Sequence, residues 1–210
     1  MNKALMGLVA VVVLALGYVT VKSILDPVRF DKQQTLREAV LQKQLKKIAT
    51  YQEEYNKVYG KFATAEELTE FLNNGKVYYV RSEGEITESM REQGLTVEQA
   101  VAKGLIKRDT VWVSAKDSLI KDGTDIATLF DVLSTGNKIE VEVGNLKQEV
   151  GKDTINVSVF EARIPFESYL SDLDAGRLIQ KKEALKSKAK SYPGLRIGSL
   201  EEVRTTGNWE

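Results

Sequence analysis

The chain has 210 residues, 42% hydrophobic and 29% charged, with 30 basic and 30 acidic side chains and neither Cys nor His. The balance is globular rather than disordered. The missing Cys and His exclude disulfides, Ser–His and Cys–His nucleophile pairs and the usual zinc ligands. An enzyme built from this chain would have to work with Asp, Glu, Lys, Tyr, Ser or Arg alone, and no cofactor motif is present. Without Lys3 and Lys22, 28 basic and 30 acidic residues remain. Nucleic acid is not an expected partner, because phosphate contact draws on a basic excess.

The first element is apolar. Ala4 to Val21 carries no charge, and only Thr20 is clearly polar. Eighteen residues at the helical rise give about 27 Å, close to the hydrocarbon thickness of a bilayer. Lys3 precedes the run, Tyr18 lies near one end and Lys22 closes it, the order expected of a spanning helix. A cleaved signal peptide competes, with Ala15 and Gly17 as small residues before a cut, but the run continues through Val19 and Val21. Residues 1–22 are therefore expected to be a transmembrane anchor in the lipid bilayer. The cations after the span (Lys22, Arg29, Lys32, Arg37) favour a cytoplasmic C-terminal side. The short lead before a long apolar run favours export, and an exported, periplasmic domain on an inner-membrane anchor is the reading taken.

Asp26 and Pro27 predict a bend over residues 23–32. Residues 33–210 are expected to form one soluble α+β domain, with a long helix packed on an antiparallel sheet and further short helices. The long helix spans about 31–59, with an apolar stripe of Leu36, Val40, Leu41, Leu45, Ile48, Tyr51, Tyr55, Val58 and Tyr59. Glu53 and Lys57 have the spacing of an i,i+4 pair, and Gly60 ends the helix. Thr64 and Glu67 have capping-box spacing before Leu68, Phe71 and Leu72, and Gly75 stops that helix. Lys76–Arg81 is expected as a strand, residues 82–92 as a loop or frayed helix, and Thr96 with Gln99 as a second capping box whose helix ends at Gly104. Thr110–Ala115 is a second strand, and residues 125–133 are helical or irregular. Ile139, Val141 and Val143, then Ile155, Val157 and Val159, alternate as two arms of a hairpin. The apolar phase flips at Phe160, which predicts a bulge or a change of covering layer. Asp174 caps a helix over about 175–190, Pro193 and Gly194 break it, and the tail is a last strand.

Few residues suggest chemistry. Asp172, Asp174 and Glu183 stand at positions one, three and twelve of a calcium loop, but Gly176 and Arg177 occupy its fifth and sixth places. Asp117, Asp122 and Asp125 are close in sequence and are the residues a hard cation or a carboxylate hydrolase would use, although Asp122-Gly123 is also a turn dipeptide. Lys181, Lys182, Lys186, Lys188 and Lys190 load one helix and suit anionic headgroups or an acidic partner, or a solvated face. Tyr51, Tyr55, Tyr59 and Phe62 are expected to pack the helix onto the sheet. Leu41, Leu45, Ile48, Gln52, Tyr55 and Tyr59 alternate four and three, so the stretch from Leu36 through Leu41 and Leu45 to Ile48 is a candidate for self-association or for pairing with another envelope protein.

A spanning first helix, a long continuing helix, then Y-N-K-V-Y-G-K-F and a sheet is similar to type IV pilins and type II secretion pseudopilins. In those, the first helix anchors the subunit and bundles in a filament core. The prepilin cleavage motif places Glu five residues after Gly, whereas Gly7 is followed five on by Val12, so only the architecture carries over. The chain also resembles an uncharacterised family of single-span bacterial envelope proteins, through D-P-V-R-F, R-D-T-V-W-V-S, Y-P-G-L-R-I-G-S-L and G-N-W-E. That resemblance implies an envelope location and no catalytic residues. The expected function is a membrane-anchored structural or interaction protein of the envelope. The alternatives are a tethered ligand-binding module using the Asp117–Asp125 loop, and a carboxylate hydrolase.

Overall fold

A computed structural model describes residues 3–92, 94–151, 153–186 and 191–210. The fold is α+β: one long N-terminal apolar helix, two antiparallel sheets and several short helices. Helix α1 (Lys3–Tyr59) is continuous for 57 residues, about 85 Å at the helical rise. It runs through Pro27, so the expected interruption of the helical pattern at that residue is corrected. Proline removes one N–H and crowds the carbonyl four residues back. The helix continues on both sides of that single defect.

The chain divides into two compact units, Met1–Ala49 with Phe130–Glu210, and Thr50–Leu129. No composition break marks the division, because α1 contributes to both.

In the first unit, β3 (Glu140–Val150), β4 (Asp153–Pro165) and β5 (Gly194–Gly198) form a sheet in the order β3-β4-β5. The β3–β4 register is unbroken from Glu140↔Arg163 to Val150↔Asp153, so there is no bulge at Phe160. Instead, the consecutive residues Val159, Phe160, Glu161 and Ala162, which point alternately to the two faces, are all buried, so β4 is covered on both faces there; β5 joins its edge from Glu161↔Gly198 onward. Gly198 has φ 76°, and a Cβ there would lie 2.2 Å from the Phe160 carbonyl oxygen, so only glycine fits. Helices α6 (Glu167–Leu170) and α7 (Ala175–Lys186) follow β4. Asp174 caps α7 by accepting from the Arg177 N–H at 2.8 Å. After β5 the chain folds back, Ile197 bridging Gly207, and Glu210 pairs with Lys46 of α1 at 2.6 Å.

In the second unit, α2 (Ala65–Asn74) and α4 (Val97–Ala102) each begin with a complete capping box, Thr64 with Glu67 and Thr96 with Gln99. Helix α3 (Glu88–Glu92) occupies part of the polar stretch, and α5 (Ala115–Leu119) and a 3₁₀ turn (Ile126–Thr128) complete it. Strands β1 (Lys76–Glu83) and β2 (Lys107–Ser114) form a two-stranded antiparallel ribbon. Tyr55 and Tyr59 of α1 meet Phe71 of α2 edge-on, at 5.2 and 6.0 Å between ring centroids, so these two members of the aromatic stripe pack against a helix. Lys57 pairs with Glu54 at 2.5 Å rather than with Glu53.

Candidate functional site

The site is the length of α1 that leaves the apolar segment and enters the first unit. The N-terminal part of α1 is long and apolar enough to cross a membrane, and none of its apolar window is buried. Among the described side chains the first buried one is Phe30. From there the buried positions Phe30, Gln34, Leu41, Leu45, Ile48, Gln52 and Tyr55 are spaced four, seven, four, three, four and three residues apart, which keeps them on one helix seam. Two members of that seam are polar, and each has a dedicated partner. Gln34 accepts from the Lys181 ammonium, and Gln52 pairs with both backbone groups of Ala63.

Leu41, Leu45 and Ile48 are fully buried, so their face of α1 is occupied by the chain itself. Leu36, at 55% exposure, and Val40 beside it remain at the surface. The polar side chains of α1 fix α6 and α7. Arg37 donates to both carboxylate oxygens of Asp172, at 2.5 and 2.7 Å, and to the Tyr169 carbonyl at 2.6 Å. That hydrogen bond holds the Asp172 carboxyl below the usual carboxylate range. The buried Tyr169 hydroxyl donates to Glu38 at 2.9 Å, and burial pushes its pKa well above the ordinary phenol value. Lys181 lies 3.7 Å from Asp31 and 5.7 Å from the centre of the Phe30 ring. Lys182 pairs with Glu167, whose carboxyl is lowered by that hydrogen bond. Of the lysine set, Lys181 and Lys182 thus face their own chain and Lys186 is exposed, while Lys188 and Lys190 lie outside the described residues.

Of the carboxylates singled out for metal or hydrolytic chemistry, Asp122, Asp125, Asp172 and Asp174 do local structural work. Asp122 accepts from Thr124, and Asp125 caps the 3₁₀ turn by accepting from Ala127 N–H at 3.0 Å. Ser114 caps α5 at Asp117. Asp172 holds Arg37 and Asp174 caps α7, so the calcium-loop positions are occupied by other bonds. Among the described residues no group of three or more Asp or Glu is placed to hold a metal ion.

Two features were not foreseen. One sheet face carries Arg163 paired with Glu140, Glu142 and Glu161, with Arg196 on the far side of Glu161 at 3.4 Å. A cavity of about 220 Å³ lies beside it, lined by Tyr192, Arg196, Ser199, Glu201 and Arg204, and its mixed charge favours neither sign of ligand. Burial raises Tyr192 to about 12. The period-two register of β3 and β4 is enough to put Glu140, Glu142, Glu161 and Arg163 on one face, and was the signal available for it. The other feature is the β1–β2 ribbon, whose Tyr78, Tyr79, Val80, Val111 and Trp112 are all exposed.

Set against protein-family models, characterised proteins and solved structures, the chain matches none of them.

Proposed function

We propose that this chain is a membrane-anchored structural or interaction protein of the cell envelope, a subunit or adaptor that holds its folded units in a larger assembly. The observation that carries this reading is the unbroken α1, which passes from an exposed apolar segment into the buried seam of the first unit without a flexible linker. A helix of that kind fixes the first unit against the bilayer, which suits a positioned subunit better than a freely tethered one. It is also the architectural feature shared with the first helix of pilin subunits. The exposed aromatic ribbon β1–β2 supports the reading further. A two-stranded sheet is marginal by itself, and contiguous exposed apolar side chains mark protein contacts. Periplasmic display is part of the proposal.

The test is the native mass of the full chain extracted in a mild detergent. A complex heavier than one 23.5 kDa chain in its micelle is expected. A strictly monomeric mass across detergents and concentrations overturns the assembly reading.

A further inference from the structure

We infer that the C-terminal end of α7, with Lys186 at its tip, is a foot that meets anionic phospholipid headgroups beside the point where α1 leaves the bilayer. The inference rests on the membrane-anchor reading and adds the surface and its ligand chemistry.

Three observations place the foot. Phe30, the first buried residue of α1, lies eight residues past Lys22, which is about 12 Å along the helix axis. The first unit therefore begins just above the end of the apolar segment. Next, α7 descends along α1. Asp172, just before α7, holds Arg37, whereas Lys181 in its middle reaches Asp31 and the Phe30 ring. The contacts step back along α1 as α7 advances, so the two helices run antiparallel and the C-terminal end of α7 points towards the apolar segment. Finally, Lys186 lies five residues beyond Lys181, about 7.5 Å further down; since Lys181 reaches Phe30, Asp31 and Gln34, this brings the Lys186 backbone to about 5–10 Å above the level of Lys22, from where its long side chain can extend the ammonium further down. A leaflet's headgroup layer is roughly 5–7 Å deep, so a Lys186 ammonium at this level lies among lipid phosphates.

The charge fits that ligand. Lys22, Arg29, Lys32 and Lys186 are exposed, and among the described residues no ion pair joins any of them to a carboxylate. Lys22, Arg29 and Lys32 fall within about 80° of one another on the α1 wheel, at 100° per residue. Asp26, four residues after Lys22 and three before Arg29, and Glu183, three before Lys186, offset two of these four charges, while Asp31 is engaged by Lys181, so the surface keeps a positive excess. Basic residues this close to a membrane bind anionic headgroups, and long side chains extend their charge to the interface while their stems stay apolar.

The experiment uses the full chain in nanodiscs of phosphatidylcholine with or without one quarter phosphatidylglycerol. The chain has no cysteine, so single probes are clean. A fluorophore is placed at Ala184→Cys, at Lys43→Cys (about 31 Å above Lys22 on α1) and at Leu14→Cys within the apolar segment. Nitroxide on the lipid headgroup is expected to quench the Ala184→Cys probe at least about threefold more than the Lys43→Cys probe, and K186E is expected to lower that quenching about twofold or more in the anionic discs only. K186Q, which removes the charge without reversing it, is expected to fall between. Equal quenching at the two positions, or quenching indifferent to both phosphatidylglycerol and K186E, overturns the foot while a Leu14→Cys probe quenched by acyl-chain nitroxide keeps the anchor. A Leu14→Cys probe that acyl-chain nitroxide leaves bright overturns the anchor, and the foot with it.

Discussion

Replacing Gln52 by Leu tests whether the buried seam of α1 is built as described. Gln52 is fully buried, its amide donates to the Ala63 carbonyl at 2.6 Å, and its carbonyl accepts from the Ala63 N–H at 2.8 Å. Ala63 is itself fully buried, and the next residue, Thr64, opens the capping box of α2. Leucine keeps the volume but removes both partners. Each orphaned backbone group then costs about 1–3 kcal/mol, so the pair costs roughly 2–6 kcal/mol before leucine's better burial offsets part of it. A net loss of about 3 kcal/mol is a large share of a domain stability of about 5–15 kcal/mol. The assay is amide hydrogen exchange on the full chain in detergent, read at Ala63 and at Leu68, whose N–H bonds to the Thr64 carbonyl. Exchange is expected to speed up about 100-fold at Ala63 and to follow at Leu68, since 1.4 kcal/mol is about tenfold in an opening equilibrium. Gln52→Glu keeps an acceptor for the Ala63 N–H and is expected to protect that amide better than leucine does. A change below about threefold in the leucine variant would falsify the paired geometry.

Other expectations follow from the same contacts. Gly198→Ala forces a Cβ into the Phe160 carbonyl at a positive φ, and is expected to lower the melting temperature of the first unit by 10 °C or more, at about 2–4 kcal/mol; unchanged melting refutes the close approach. The Arg37 pair depresses the Asp172 pKa in the folded state, so its stabilisation is present above the unfolded carboxylate value and is lost as pH falls through the folded one. Asp172→Asn is therefore expected to be the less stable protein at neutral pH, by at most about 1 kcal/mol for so exposed a pair, with the gap closing in acid; a gap that persists below pH ~2 contradicts this. The raised Tyr169 pKa works in the opposite direction, with stability intact below about pH 10 and falling as alkali ionises the unfolded phenol. Tyr169→Phe should flatten that alkaline fall, which a melting series from pH 8 to 11 checks. Trp112→Glu, at an exposed ribbon position, is expected to change stability by less than about 0.5 kcal/mol yet reduce the native mass of the detergent complex; an unchanged complex removes the ribbon from the interface.

What the sequence made legible was mostly local. The Thr64 and Thr96 capping boxes, the Gly60 stop and the Asp174 cap each depend on residues three or four apart, and all are present. The arms of β3 and β4 followed from strict alternation. Pro27 does not interrupt the helix because its local cost, though real, is one lost bond in a helix of 57 residues. The seam was found only in part: Phe30 and Gln34 extend it, and a buried glutamine is invisible to a pattern of apolar residues until its partner is known. For the same reason Lys181 and Lys182 stood out as a charged helix face, although Asp31, Gln34 and Glu167, distant in sequence, receive them. At Phe160 periodicity registered that something changed, while the burial of both faces of β4 from Val159 to Ala162 depends on tertiary packing that a single strand's pattern does not carry. The division into two units left no mark in composition because a single helix serves both.

The central claim is an anchored chain whose folded part lies outside the cytoplasm, and one accessibility measurement addresses it. Thr205, an exposed position, is replaced by Cys, and cells whose outer membrane has been permeabilised are treated with a maleimide that does not cross the inner membrane. Labelling of a membrane-bound chain before lysis is the result expected. Labelling only after lysis places the folded part in the cytoplasm and contradicts the account.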